Sequence, residues 1–194
     1  APSAALRLRS DVVTGVGERR AVTLADGSRM VLGPQSAVAF GKQGRGVTLV
    51  AGQAWFEVEH DATRPFVVEA GAVRATDLGT AFEVRRQGEA VDIAVAHGLV
   101  GVSGRGVEAT LTPGDRIVVT PERSQKERLA LNAIAPWRDG YLLVQDASIG
   151  AVVSELRRYQ PGVVMVTDKT LAERRVTGLY ALDQPEAALR ALVA

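Results

Sequence analysis

Apolar and polar positions alternate with a period of two through most of this chain and with a helical period near its end. The stretch Arg64–Val84, RPFVVEAGAVRATDLGTAFEV, sets the pattern. Pro65 starts an apolar segment at Phe66, Val67 and Val68, Gly71 allows a turn, and Gly79-Thr80 precedes the alternating pair Phe82 and Val84. This predicts two strands joined at a glycine, with the Gly-Thr bend opening the second. Upstream, Val22 and Leu24 alternate with polar neighbours, Asp26-Gly27 signals a hairpin, and Met30 and Leu32 resume the alternation. Val38 and Phe40 mark a further strand, 41–46 a loop, and a turn is expected at Ala51-Gly52 between Val47, Leu49 and Ala54, Phe56, Val58. The same phrase returns at Ile93, Val95 and His97-Gly98, and again at Leu111 and Pro113-Gly114 before Ile117 and Val119.

The glycine spacing is too irregular for a solenoid repeat. Many short strands between turns instead predict a mainly β domain, a sandwich, roll or β-helix-like fold, over residues 10–121. Phe56, Val58, Phe66, Val68, Phe82 and Val84 are expected to face inward. PERSQKERLALNAIAP follows, charged and bounded by prolines, and reads as a linker over residues 122–136 with a helical turn around Leu129–Ile134.

After Trp137 the period changes. Tyr141–Val144 reads as a strand and Asp146 as the cap of a helix whose apolar face is Ile149, Val152, Val153, Leu156 and Tyr159. Pro161-Gly162 stops it, Val163–Val166 reads as a strand, Leu171–Arg174 as a helical turn, and Val176–Leu182 as a strand. Asp183, Pro185 and Glu186 signal a second helix with Ala188, Leu189 and Leu192 on one face. Residues 137–194 are therefore expected to form a small α+β module, truncated before a closing strand.

A chain of 194 residues that is 46% hydrophobic can bury the cores of two small domains. Lys+Arg 23 against Asp+Glu 22 leaves a net charge of +1, with basic pairs such as Arg19-Arg20 and Arg174-Arg175 scattered, which argues against nucleic acid as a partner. Cysteine is absent, so no disulfide, thiolate nucleophile or cysteine metal site exists. No apolar run approaches the ~20 residues that span a bilayer. The start at Ala1 leads to the expectation of a soluble piece cut from a longer protein.

His60 and His97 stand far apart without a third ligand at a recognisable spacing, and read as two surface turn histidines. Glu57, Glu59 and Asp61 alternate along one face, which reads as solvated rather than cation-binding. Trp55 is expected to lie outward beside Glu57 and Glu59, and Trp137 to pack between the two domains. No phosphate-binding glycine loop, Ser-His-Asp order or nucleophile elbow is present, so neither a metal nor a cofactor is expected, and the residues describe a two-module binding protein rather than an enzyme. One dipeptide carries chemistry of its own, because the Thr80 hydroxyl could attack the Gly79 carbonyl if a bend holds them together. The residues alone favour a β-bulge there. Asp77 and His97 are candidate bases by residue type.

GERRAVTLADGSRMVL, VTLVAGQAWFEVEHDATRPFVVEA, LGTAFEV, VAHGLVGVS and LTPGDRI, in that order, resemble the FecR family, transmembrane anti-sigma regulators of bacterial cell-surface signalling. The tail, from WRDGYLLVQDASIGAVVSELRRY through VTGLYALDQPEAALRAL, resembles the STN domain of secretins and TonB-dependent receptors. The resemblance implies the periplasmic region of a single-pass inner-membrane protein. Its partner would be the N-terminal signalling domain of a TonB-dependent outer-membrane receptor, and a missing cytoplasmic region would hold an extracytoplasmic-function sigma factor that controls iron or haem uptake genes. The resemblance implies no small-molecule ligand for this region, because the inducing siderophore, haem or iron citrate binds the receptor. Some members cleave themselves at a Gly-Thr bond in a segment similar to LGTAF, which Gly79 and Thr80 match. Met165 and Tyr180 are the expected receptor contacts in the tail, against core packing as the ordinary fate of such side chains. The rival readings are a periplasmic carbohydrate- or cell-wall-binding β module and an enzyme accessory domain.

Overall fold

The alternation becomes register in the structure, a computed structural model that describes residues 9–41, 44–77 and 79–192. Its strands are β1 (Val12–Val13), β2 (Arg20–Thr23), β3 (Arg29–Leu32), β4 (Ala37–Phe40), β5 (Gly46–Glu57), β6 (Phe66–Ala70) and β7 (Val73–Asp77). They continue with β8 (Ala81–Gln87), β9 (Ala90–His97), β10 (Val100–Gly104), β11 (Val107–Leu111), β12 (Asp115–Val119) and β13 (Ser124–Arg128). β2 and β3 pair across the Asp26-Gly27 turn as expected, burying Met30 and Leu32 while Arg29 faces solvent.

β5 organises the rest. Its first half pairs antiparallel with β4 and parallel with β6, and its second half pairs antiparallel with β3 and β8. The turn expected at Ala51-Gly52 is instead a bend within this one strand. Against β4, Ala37 faces Ala51 but Val38 faces Leu49, so an extra residue bulges out just where β5 changes partners. The result is one nearly closed, mostly β sheet of 13 strands, in which β1, β4, β6, β7, β10 and β11 flank the first half of β5 and β2, β3, β8, β9, β12 and β13 its second half.

Both groups of strands bury their apolar positions in one core. Phe56, Phe66, Phe82 and Val68 are fully buried and Val84 nearly so, whereas Val58 packs at the edge of the core, half-buried. The Phe56 ring lies 5.3 Å from Phe82 at 25° and 5.9 Å from Phe66 at 54°, which ties β5, β6 and β8 together at the centre. Arg64–Val84 contributes three strands, not two, because β7 runs out of the Gly71 turn and the Gly-Thr bend opens β8. Ser124–Arg128, expected inside the linker, is a strand paired along all of β12, and the compact unit holding this sheet runs through Ala135. Leu131–Ala133 forms a single turn of 3-10 helix.

A second compact unit comprises Val16–Glu18 and the chain from Pro136 onward. β14 (Tyr141–Ser148) and β15 (Arg175–Ala181) pair antiparallel, and the helices are α1 (Ile149–Leu156), α2 (Lys169–Glu173) and α3 (Pro185–Ala191). Ile149, Val152, Val153 and Leu156 are buried as their spacing predicts. Asp146 does not cap α1: it sits at φ +45° in a bulge of β14, where it accepts a 2.6 Å bond from Arg175 Nε, and the Ser148 hydroxyl accepts from the Ala151 N–H instead. Asp168 caps α2, and Gln184 rather than Asp183 precedes α3. Val163–Val166 is not a strand; Val163 is 78% exposed, because this apolar run finds no strand to pair with among the described residues.

Two stability measurements follow from this packing. Phe82→Ala removes a ring from the centre of the aromatic cluster and is expected to cost about 3–5 kcal/mol in a denaturant titration. The β11–β12 turn is held by Asp115, whose carboxylate accepts from the Thr112 N–H, the Thr112 hydroxyl and Lys126, which together bring it from 3.8 down to about 2 against the opposing effect of burial. A lowered folded-state value gives stability that is present above the unfolded value and disappears as pH falls through the folded one. Asp115→Asn is therefore expected to be less stable than the parent at pH 7, with the difference closing between about pH 4 and pH 2. A gap that stays constant over that range would mean that the carboxylate charge is not what holds the turn.

Candidate functional site

The chain leaves β7 in one half of the sheet and enters β8 in the other through Gly79 and Thr80. It makes the reverse crossing, from β9 to β10, through Gly98. The two crossings lie against each other. Ala81 pairs with His97, and the register then shifts so that Phe82 faces Val95, which places a β-bulge beside the bend, as the sequence suggested. The Thr80 carbonyl accepts a 2.9 Å bond from the Val58 N–H at the end of β5.

Only glycine fits at either crossing. Gly79 has φ +143°, and a Cβ there would stand 2.7 Å from His60 Nδ1 and 2.9 Å from His60 Cα. Gly98 has φ +79°, and a Cβ there would overlap the Thr80 methyl group and lie 3.0 Å from the Gly79 carbonyl oxygen. The Thr80 methyl thus occupies the notch that Gly98 leaves, which restricts the rotamers open to a β-branched side chain.

Around the bend lies a cleft of about 450 Å³ lined by Gly27, Arg29, Glu57, Glu59, His60, Gly79, Thr80 and His97 among others. His60 and His97, far apart in sequence, therefore meet at one site and are both exposed on it. Asp77, at the end of β7, is 1% exposed, and its Oδ1 accepts from the Gly79 N–H at 3.0 Å. Both candidate bases named from residue type are thus brought to the bend. His60 was not linked to it by sequence, and neither was Gly98. The only hint for Gly98 is that a glycine follows a strand end there, as glycines do at several other turns.

A buried ion pair fixes the wall that carries His60. Arg45 Nη1 meets Asp26 Oδ2 at 2.8 Å, Arg45 Nη2 donates to the Glu59 carbonyl at 2.9 Å, and the Glu59 N–H donates to Ser28 Oγ at 3.0 Å. Ser28 in turn donates through its N–H and hydroxyl to Asp26. Three loops are thereby locked together, and no alternation of apolar residues could have announced it. Asp61 lies beyond, in a turn where the Thr63 hydroxyl and Arg64 hold its carboxyl well below the ordinary carboxylate range. Among the described residues no group of three or more His, Asp and Glu is arranged to hold a metal ion.

The remaining residues singled out by sequence lie elsewhere. Trp55 is on the face of β5 opposite Phe56 but is only 4% exposed, with its indole N–H donating to Glu57 Oε1 at 3.0 Å, so the outward expectation fails as to solvent. Trp137 is 2% exposed in the 3-10 turn Pro136–Asp139. Met165 is 71% exposed, and Tyr180 is half-buried on β15 with its ring over Gly178.

The crossing geometry can be weighed directly. Gly98→Ala meets both an unfavourable φ and the Thr80 side chain, whereas Gly106→Ala meets a similar φ of +74° with nothing within 4 Å. Both variants are expected to lose stability, of order 1–3 kcal/mol for the backbone conformation. Gly98→Ala should lose more, and equal unfolding midpoints would deny the close contact between the two crossings.

Residues 10–101, which span β1 to the start of β10 and include every part of this bend, match the FecR protein family. None of the curated proteins matches the chain significantly. Two crystal structures of a candidate anti-sigma factor from Parabacteroides distasonis are similar in fold. One has a TM-score of 0.80 at 24% identity, covering 93% of this chain and 89% of that one. The other has a TM-score of 0.79 at 23% identity, covering 93% and 88%. Over residues 10–101, just under half of the chain, the sequence is similar to the FecR protein family.

Proposed function

We propose that this chain is the periplasmic sensor region of an anti-sigma factor regulator. It relays the ligand-loaded state of a TonB-dependent outer-membrane receptor to an extracytoplasmic-function sigma factor for iron or haem uptake genes. The observation that carries the signalling role is the FecR match over 10–101. The receptor, the regulon and the compartment are inferences from the resemblance of the motifs. No helix among the described residues is long and apolar enough to cross a membrane, and the sigma-factor contact is assigned to no residue of this chain.

The receptor contact is assigned to the second unit, whose tail resembles an STN domain. Its sheet has two strands, and no further strand pairs with either among the described residues, so each offers an edge on which a small partner sheet can add a strand. Tyr141 and Leu179 on that sheet are 46% and 62% exposed, and Met165 lies exposed outside it, which supplies apolar contact area next to backbone donors and acceptors. In a pull-down, the intact chain should capture the signalling domain of the receptor encoded beside it. Met165→Glu or Leu179→Glu should weaken capture by about tenfold, as the loss of roughly 1.4 kcal/mol would. Failure of the intact chain to bind any such domain would favour the carbohydrate- or cell-wall-binding reading.

A second activity is favoured by the bend itself. Thr80 is buried at 6% exposure beside a glycine at φ +143°, and the bend opens on a water-accessible cleft, the setting for an N-to-O acyl shift followed by hydrolysis. Incubation followed by intact mass should give fragments ending at Gly79 and starting at Thr80 in the parent and in Thr80→Ser, and none in Thr80→Ala. Equal fragmentation of the Ala variant would assign the cut to a contaminating protease.

A further inference from the structure

We propose that Asp77 is the base that activates the Thr80 hydroxyl for cleavage of the Gly79–Thr80 bond, an assignment that rests on the self-cleavage reading above. The two groups flank the same peptide and are both buried. Asp77 Oδ1 holds the Gly79 N–H, while Asp77 Oδ2 and Thr80 Oγ1 are each without a hydrogen-bond partner. That is unusual, because a buried carboxylate oxygen or hydroxyl left unpaired costs about 1–3 kcal/mol and is ordinarily satisfied.

The chain itself supplies the comparison. In two turns where an aspartate sits two or three residues from a threonine, the pair is closed. The Thr63 hydroxyl donates to Asp61 Oδ1 at 2.7 Å, and the Thr112 hydroxyl donates to Asp115 Oδ2 at 2.8 Å. At Asp77 and Thr80 donor and acceptor are both buried and yet unbonded, with the threonine methyl seated in the Gly98 notch. A resting hydrogen bond would hold the hydroxyl on the carboxylate. Here the hydroxyl is left unengaged, and catalytic hydrogen bonds are often long or misaligned before reaction and tighten as it proceeds. Asp77 is preferred to His97 and His60 because it already grips the amide of the acyl residue and is buried, whereas both imidazoles stand exposed on the cleft.

The chemistry balances with water as the sole co-reactant. Asp77 takes the proton from Thr80 Oγ as Oγ bonds to the Gly79 carbonyl carbon and charge moves to the carbonyl oxygen. The carbon–nitrogen bond then breaks, and the Thr80 nitrogen takes the proton from Asp77, leaving an ester between Gly79 and Thr80 Oγ. Water adds to that ester and expels the Thr80 hydroxyl, giving a Gly79 carboxylate and a Thr80 amine.

The test uses the full chain with hydroxylamine, which cleaves an ester and leaves a Gly79 hydroxamate visible by mass. Asp77→Asn keeps an acceptor for the Gly79 N–H and removes the base, so ester formation should fall by about 100-fold or more. A thiol at position 80 needs far less help to become a nucleophile. Thr80→Cys combined with Asp77→Asn should therefore retain most of the cleavage rate of Thr80→Cys alone. If the double variant is as inert as Asp77→Asn, Asp77 only maintains the bend and the assignment is overturned. It is also overturned if Asp77→Asn reacts as fast as the parent. A parent that neither fragments nor traps hydroxylamine overturns the self-cleavage reading beneath it.

Discussion

One strand has to serve both halves of the sheet. β5 pairs with β4 and β6 before Gly52 and with β3 and β8 after it, and Phe56 in its second half anchors the aromatic cluster. A strand that changes partners forces its neighbours to change sides as well, so connections must cross from one half to the other close to its end. Two of them, β7 to β8 and β9 to β10, do so side by side. Two backbones in contact leave no room for a Cβ between them, which is why Gly79 and Gly98 face each other across the Thr80 side chain. The candidate site is thus a consequence of how the core is closed.

What was legible in the sequence is what leaves a trace in the order of apolar residues. Met30, Leu32, Phe56, Phe66, Val68, Phe82 and Val84 are buried on alternating positions, as the pattern predicts. β13 left no such trace. Ser124, Gln125 and Lys126 are exposed, because this edge strand is paired on one side only and buries almost nothing. Val163–Val166 shows the converse, an apolar run with no partner strand among the described residues. The Ala51-Gly52 turn was misread because a glycine between alternating segments looks the same whether the chain reverses or merely bends.

The site was half legible for a related reason. Gly79-Thr80 could be singled out by residue type, and Asp77 by its nearness in sequence. His60, His97 and Gly98 reach the bend through pairing between strands, and the wall that carries His60 is set by the buried pair of Arg45 and Asp26. Contacts of that kind join polar residues in different loops, and they have no period from which to be read.

The same topology constrains what a cut at Gly79–Thr80 could do. It would leave β1 to β7 on one fragment and β8 to β15 on the other, but the break does not follow any seam in the sheet. β5 on the first fragment pairs with β8 on the second from Gly52 to Glu57, and β7 pairs with β10 from Arg74 to Asp77. Phe56 and Phe82 stack across the same divide, and both are fully buried. Separating the pieces would mean opening the sheet on both sides of β5 and exposing the shared core, so the hydrophobic burial that holds the parent together also holds the products. Cleavage there removes the covalent path between the two halves and leaves the fold to carry the connection. In such a molecule, pulling on one end is resisted by strand pairing and packing alone, and a linkage of that sort can yield to force where an intact chain cannot.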